Sequence, residues 1–312
     1  MAVRASDAMR PVPGWLSGAL VLGTLAALYF LEGRRPLRRR TENRSGRTGR
    51  NLAVAALSAA AIRATEKPVT DCLSRLVVQR RWGLLQKLRL PLWLEAAVGI
   101  VLLDYTLYVW HVLTHKVPFL WRFHVAHHAD LDLDASTALR FHFAEMVLSV
   151  PWRAGQVLLL GASPRTLSAW QTATLVAILF HHSNVELPAS LERRLCRLVT
   201  TPRMHGIHHS IVEDETDSNW STIFSFPDYL HGTIRLNVPQ AAVRIGVPAY
   251  RDPGELGLGD LLALPFVEQR PTWTYADGSR PASRMALLPP AQLADASAEY
   301  ADVRPGWRQL LS

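Results

Sequence analysis

Residues 91–115 read PLWLEAAVGIVLLDYTLYVWHVLTH. From Pro91 to Thr114 this run is apolar apart from Glu95, Asp104 and His111. Its length suits a helix crossing a bilayer, which needs about 20 residues. The last turn carries His111-x3-His115, and residues four apart share one helix face. Asp104 stands seven residues before His111, on much the same face, and an ionisable group within such a helix points to function. The stretch predicts an all-α, integral-membrane protein with polar chemistry at the end of an apolar helix.

The other histidines extend that pattern. All twelve in the 312-residue chain fall between His111 and His231. They form His111-x3-His115, His124-x2-His127-His128, the pair His181-His182, and His205-x2-His208-His209, with His142 and His231 apart. Imidazole binds iron, zinc, copper or nickel, and a single four-coordinate ion cannot use eight or more of them. The count predicts two metals. A disordered metal-binding tract would place consecutive histidines in polar sequence, whereas these adjoin apolar runs. There is no His-Glu-x2-His protease motif and no Glu-x2-His of carboxylate-bridged di-iron bundles, leaving a nearly all-nitrogen centre.

Working outward, Trp15 to Leu31 is an uncharged apolar run that reads as an uncleaved anchor. Eight arginines follow between Arg34 and Arg50; with Glu42 subtracted they carry +7 of the formal +8 net charge. This block reads as a solvated cytoplasmic loop beside a span, and no recognition motif accompanies it, so nucleic acid is not expected as a partner. Asn51 to Ile62 is a shorter apolar run, either a broken helix continuing past Pro68 or a turn back, and Lys67 to Arg89 reads as interfacial. Phe143–Leu160 and Leu167–Phe180 form an apolar hairpin around Gly161 to Arg165, with Pro151 and Arg153 predicting a kink. About four membrane helices result, with a cytoplasm-facing helical cap bearing the histidines. The predicted units are residues 1–90, an anchor with its arginine-rich loop; 91–235, the catalytic core; and 236–312, a cytoplasmic extension. The extension, partly interfacial or disordered, includes an amphipathic stretch, Leu256 to Phe266, and a Pro-rich tail. Lys116, Arg122, Arg140, Arg193, Arg194, Arg197 and Arg203 lie on the histidine side and little beyond Arg165 on the other, which predicts a multi-pass protein with a cytoplasmic site.

These motifs resemble the integral-membrane fatty acid hydroxylase and sterol desaturase superfamily. The likeness rests on Asp104-x3-Tyr108-x2-His111-x3-His115 and on Leu120-Trp121-Arg122-x-His124-x2-His127-His128. It continues in Thr137 to His142, His182-Ser183-Asn184-Val185 and Thr201-Pro202-Arg203-x-His205-x2-His208-His209-Ser210, covering about residues 90 to 235. The resemblance implies two iron ions (zinc as an as-purified substitute) and O2-dependent hydroxylation or desaturation of a lipid C–H bond. It implies metal ligands at His111, His115, His124, His127, His128, His182, His205, His208 and His209, with His181 as a tenth. Asp104, His142 and Asn184 are expected to support them from behind, and Asn219 matches a polar position of the pattern. His231 replaces an aromatic residue of the family and is not expected to ligate. With no haem or flavin domain in sight, electrons would come from a separate NAD(P)H-linked protein. Alternative readings are a two-zinc lipid hydrolase, an acyltransferase using His127-x4-Asp132, and a metal-storage protein.

Overall fold

The computed structural model describes residues 7–282. Among the described residues the chain is helical, with three isolated β-bridges in place of any sheet. Helix α1, Gly14–Arg34, starts after Pro13 and stops at Arg35. Helix α2, Arg44–Ala64, is capped by Asn43, whose side chain accepts from the Ser45 and Gly46 amides. Helix α3, Glu66–Arg80, begins at once after a break at Thr65 and ends on Arg81, in the left-handed conformation. The turn therefore precedes Pro68, which falls in the first turn of α3, where a missing N–H does no harm. Helix α4, Leu92–Lys116, is followed directly by α5, Pro118–His128, with proline at its first position.

The expected kink before the hairpin turn falls at Ser149, a one-residue interruption that keeps helical dihedrals and the Ser149 amide bond to the Glu145 carbonyl. Helix α6, Phe143–Leu148, gives way at Ser149 to α7, Val150–Leu160, with Pro151 in its first turn. Gly161, at φ +74°, ends α7, and the Ser163 hydroxyl caps α8, Pro164–His182. Gly161 lies backbone to backbone against Gly83, so a Cβ on Gly83 would meet the Gly161 nitrogen at 2.3 Å. Helix α9, Pro202–His208, is capped by Thr201, and α10, Phe226–His231, ends on Gly232 at φ +69°. Helix α8 is central, packing on α4 and α1, while α2 packs on α6 and α3 on α7.

Helices α1 and α4 are long and apolar enough to cross a membrane. Helix α1 exposes Trp15, Leu22 and Phe30, apolar surface that lipid would cover. The first hairpin arm is divided into pieces of 6 and 11 residues, each short for a crossing.

The arginine block is only in part the solvated segment that its composition predicts: Arg34, Arg35, Arg39 and Arg40 are exposed. Arg38 and Arg47 are buried. Arg47 Nη1 meets Asp130 Oδ2 at 2.7 Å and also pairs with Asp134, while Arg140 Nη1 meets Asp130 Oδ1 at 3.0 Å. Asn51 and Thr137 donate to the same carboxylate, each at 2.9 Å. Burial alone would raise the Asp130 pKa, but Arg140 and Arg47, with those hydrogen bonds, more than offset it and hold the carboxyl below its usual range. The network ties α2 to the loop leaving α5, so a charge run that could have been solvent-facing positions the histidine helices. At the other end, Leu256, Leu261 and Leu264 pack with Val125, Ala126 and Ala129 of α5 and the residue after it. That part of the C-terminal extension belongs to the core; the Pro-rich stretch past residue 282 lies outside the described residues.

Candidate metal centre

Four elements deliver the histidines to one place. The last turn of α4 supplies His111 and His115, and α5 supplies His124, His127 and His128. Helix α8 ends on His181 and His182, and α9 with the residue after it supplies His205, His208 and His209. Every one of these ten lies at or near a helix C-terminus, where the chain leaves apolar packing.

The rings sort into two quartets. Ring nitrogens of His111, His115, His128 and His208 lie within 4.8 Å of one another, as do those of His127, His182, His205 and His209. In the second quartet His182 Nε2 is 3.1 Å from His127 Nε2 and 3.0 Å from His205 Nε2, and His209 Nε2 is 3.1 Å from His205 Nε2. His182 Nδ1 faces the Ile178 carbonyl at 2.8 Å. A carbonyl only accepts, so Nδ1 carries the proton and Nε2 turns a bare lone pair inward. In the first quartet, His111 Nδ1 donates to the Trp220 carbonyl and His208 Nδ1 to the Ser218 carbonyl, both at 2.8 Å. Nε2 of His115, His128 and His208 is buried without a hydrogen-bond partner among the described residues. Converging lone pairs and orphaned acceptors fit a cation in each quartet, and an all-imidazole donor set suits iron, zinc, copper or nickel.

Charge agrees with geometry. Burial first, and neighbouring imidazoles second, push the pKa values of His127, His128, His205 and His209 well below the usual value. Burial lowers that of His208 to about 3, against the opposing hydrogen bond to Ser218. These rings are neutral at pH 7, the state in which imidazole binds metal.

The remaining predicted residues separate. His124 and His181 adjoin the quartets without joining either. His124 Nδ1 donates to Glu145 Oε1 at 2.9 Å, leaving Nε2 unpartnered, and His181 Nδ1 donates to the Thr222 carbonyl at 3.0 Å. Asp104 does not touch a histidine: its two oxygens accept from the Ile223 and Phe224 amides at 3.1 and 3.0 Å. Asn184 clamps the chain after α1, exchanging two hydrogen bonds of 2.9 Å with the Arg38 backbone. His142 is not brought to the quartets. Its Nδ1 accepts from the Ala144 amide, capping α6, and its Nε2 donates to the Leu262 carbonyl at 3.2 Å. Asn219 holds a left-handed φ of +53°, which asparagine tolerates, and bonds Met204 and Arg235. His231 stacks on Tyr108 and meets the Tyr105 hydroxyl at 3.0 Å, away from the quartets.

Sequence reasoning missed Glu145 and Asp228. Asp228 accepts from the Trp220 and Ser221 amides, both at 3.0 Å, and from the Thr233 hydroxyl at 2.6 Å. Burial raises its pKa against those bonds. Neither carboxylate has a spacing signature toward a histidine.

The comparisons with known proteins cover this same region. Residues 96–233 match the family model described as fatty acid hydroxylase. The match supports the resemblance to the fatty acid hydroxylase and sterol desaturase superfamily over residues 96–233. The chain resembles an ornithine lipid hydroxylase of Rhizobium tropici, 31% identical over 56% of this chain and 51% of the relative. Rat cholesterol 25-hydroxylase is 26% identical over 51% of this chain and 52% of its own length. Human alkylglycerol monooxygenase is 26% identical over 45% of this chain and 30% of its own. The chain thus spans about half the length of the first two relatives. No solved structure gives a significant match.

A cavity of about 370 Å³ opens beside the histidine quartets. Its wall includes His111, His124, His127, His181, His182 and His205 at one end. Leu107, Trp110, Phe141, Met146, Leu175 and Ile178 make most of the rest apolar.

Proposed function

We propose that this protein is an oxidoreductase, an integral-membrane di-iron lipid hydroxylase that inserts oxygen from O2 into a lipid C–H bond. The observation that carries the reading is the abutment of two neutral histidine quartets on a mostly apolar cavity. Hydrolases and acyltransferases work on polar ester or amide groups, whereas an apolar wall at the metal end offers bare hydrocarbon. The named activities of the relatives, all lipid oxidations, support the same reading. Glu145, which lines the cavity, accepts the His124 Nδ1 proton through Oε1, which favours a role in orienting that ring over one as a hydrolytic base.

Eight histidines would hold the ions: His111, His115, His128 and His208 one, and His127, His182, His205 and His209 the other. When bound, the pair supplies O2 activation and stores the electrons that C–H oxidation requires. The chain's own residues do the rest. The carbonyls of Trp220, Ser218 and Ile178 fix the tautomers of His111, His208 and His182, so each ring offers Nε2. Glu145 holds the Nδ1 proton of His124 at the cavity wall. Trp110, Phe141 and Ile178 exclude water and keep hydrocarbon against the quartets. Hydroxylation consumes one O2, two electrons and two protons and releases one water; electrons would arrive from a separate NAD(P)H-linked protein. A multi-pass arrangement with the centre facing the cytoplasm, where such donors reside, completes the reading.

The test is metal stoichiometry with oxygen tracing. Anaerobic, iron-supplemented protein should carry two irons per chain and transfer isotopic oxygen from O2 into a lipid. Two irons with an added double bond and no label would make the enzyme a desaturase. Turnover without O2 would sink the oxidoreductase reading.

A further inference from the structure

The cavity has a second, chemically opposite end. Arg153 of α7 and Glu66 at the start of α3 both line it, with side chains only 16% and 11% exposed. They form a loose pair, Arg153 Nε to Glu66 Oε2 at 4.0 Å. Both keep unused bonding capacity. Arg153 Nη1 donates to Gln156 Oε1 at 2.9 Å, and Glu66 Oε2 accepts from the Ser149 hydroxyl at 3.5 Å; among the described residues no hydrogen bond engages Arg153 Nη2 or Glu66 Oε1. The Arg153 guanidinium lies over the Trp170 ring, 5.1 Å from its centroid. The neighbouring charge of Lys67 is taken up by Asp71 at 2.7 Å. A nearly buried charge pair in an otherwise apolar wall is costly unless it is used.

We propose that Arg153 and Glu66 form a head-group subsite, so that the substrate is an amphiphile with a neutral or zwitterionic, hydrogen-bonding head. The inference rests on the lipid-oxidising reading and names its substrate class. Arg153 accommodates an acceptor oxygen and Glu66 a donor. A simple anion is disfavoured, because it would have to sit beside the Glu66 carboxylate. Position follows from the helices. On the α6–α7 wall, Glu145 at the histidine end and Arg153 are eight residues apart, about 12 Å at the helical rise. On the α8 wall, Gln171 and His182 are about 16 Å apart by the same measure. The head subsite and the histidine end are therefore separated by roughly 12–16 Å of helical rise, which places the reacting carbon in the apolar body of the substrate rather than beside its polar group.

The test is equilibrium binding of three tritiated probes to the full chain in phosphatidylcholine nanodiscs, with empty nanodiscs subtracted. The probes are 1-hexadecanol, hexadecane and palmitate. The native protein should bind 1-hexadecanol at least about tenfold tighter than hexadecane, the effect of one charge-assisted hydrogen bond, and tighter than palmitate. Arg153→Met should weaken 1-hexadecanol binding about tenfold, the loss of one charge-assisted hydrogen bond, and leave hexadecane unchanged. Glu66→Gln should raise palmitate affinity about tenfold, a gain that misfolding does not produce. Equal loss for all three probes in Arg153→Met, palmitate preferred by the native protein, or no gain in Glu66→Gln would each overturn the subsite. Binding is read without turnover, so the two readings fail separately. Labelled oxygen entering a lipid with no head preference removes the subsite alone; head preference with no oxygen transfer removes the functional reading alone.

Discussion

Asp104 and Asp228, on different helices, hold one backbone segment from two sides. Asp228 takes the amides of Trp220 and Ser221, and Asp104 those of Ile223 and Phe224. In the same stretch the carbonyls of Ser218, Trp220 and Thr222 accept from His208, His111 and His181. The carboxylates thus orient imidazoles at one remove, with peptide groups as the linkage. Asp104→Asn exchanges one acceptor oxygen for an amide donor facing a backbone N–H. It should lower metal affinity about 10–100-fold, the usual effect of losing a group that supports a ligand. Asp228→Asn should act in the same direction. Metal titration of the purified variants checks this; unchanged affinity in both would remove the clamp from the account.

Within the histidines the two quartets divide sensitivity sharply. His127→Ala and His208→Ala should each abolish activity and lower the metal content per chain, one from each quartet. His231→Ala should leave metal content intact. His142→Ala removes a helix cap and should cost about 1 kcal/mol of stability with both metals retained. Elemental analysis beside thermal melting separates these outcomes, and metal loss in His142→Ala would restore that residue to the centre.

Acid stability should report the Asp130 network. Its folded-state pKa lies below the usual 3.8, so its contribution to stability is complete above that value and is lost as pH falls through the folded-state pKa. Melting temperature should decline as pH drops below about 4. In Asp130→Asn that part of the decline should flatten. At neutral pH the same variant should lose about 3–5 kcal/mol, because Arg47 and Arg140 remain buried with their shared partner neutralised. A native pH profile in that range superimposable on the variant's would show the carboxylate to be uncoupled from folding.

The sequence disclosed groups whose chemistry is written in local spacing. His111-x3-His115 and the two His-x2-His-His triplets sit on single helix turns, so periodicity alone aligned them, and Gly161 to Arg165 announced the hairpin turn. What it withheld acts at long range or on the backbone. Glu145 reaches His124 from another helix, and Asp228 reaches the histidines only through peptide groups. His142 belongs to the same motif run as the ligands, yet the end of the loop aims it at Ala144 and Leu262. Asn184 follows His182 by two residues, but its side chain turns to Arg38, more than a hundred positions earlier. The arginine block misled in part for a similar reason. Charge density is visible in sequence, whereas the Asp130 that buries Arg47 is not adjacent to it.

The hairpin turn gives a prediction that separates folding from chemistry. Gly161 adopts φ +74° and its Cα side faces the Trp82 carbonyl, which an added Cβ would meet at 2.4 Å. The obstacle is backbone on both sides, Trp82 and Gly83, so no flexible side chain can swing away. Gly161→Ala combines this clash with the penalty of about 1–2 kcal/mol for a left-handed residue bearing a Cβ. It should lower the melting temperature clearly. The turn lies at the end of α8 opposite His181 and His182, about 28 Å along the helix by its rise, so the quartets should remain assembled. Protein that survives purification should keep its native metal stoichiometry and, below its melting temperature, its activity. Loss of metal in folded Gly161→Ala would mean that the turn and the quartets are mechanically coupled through α8.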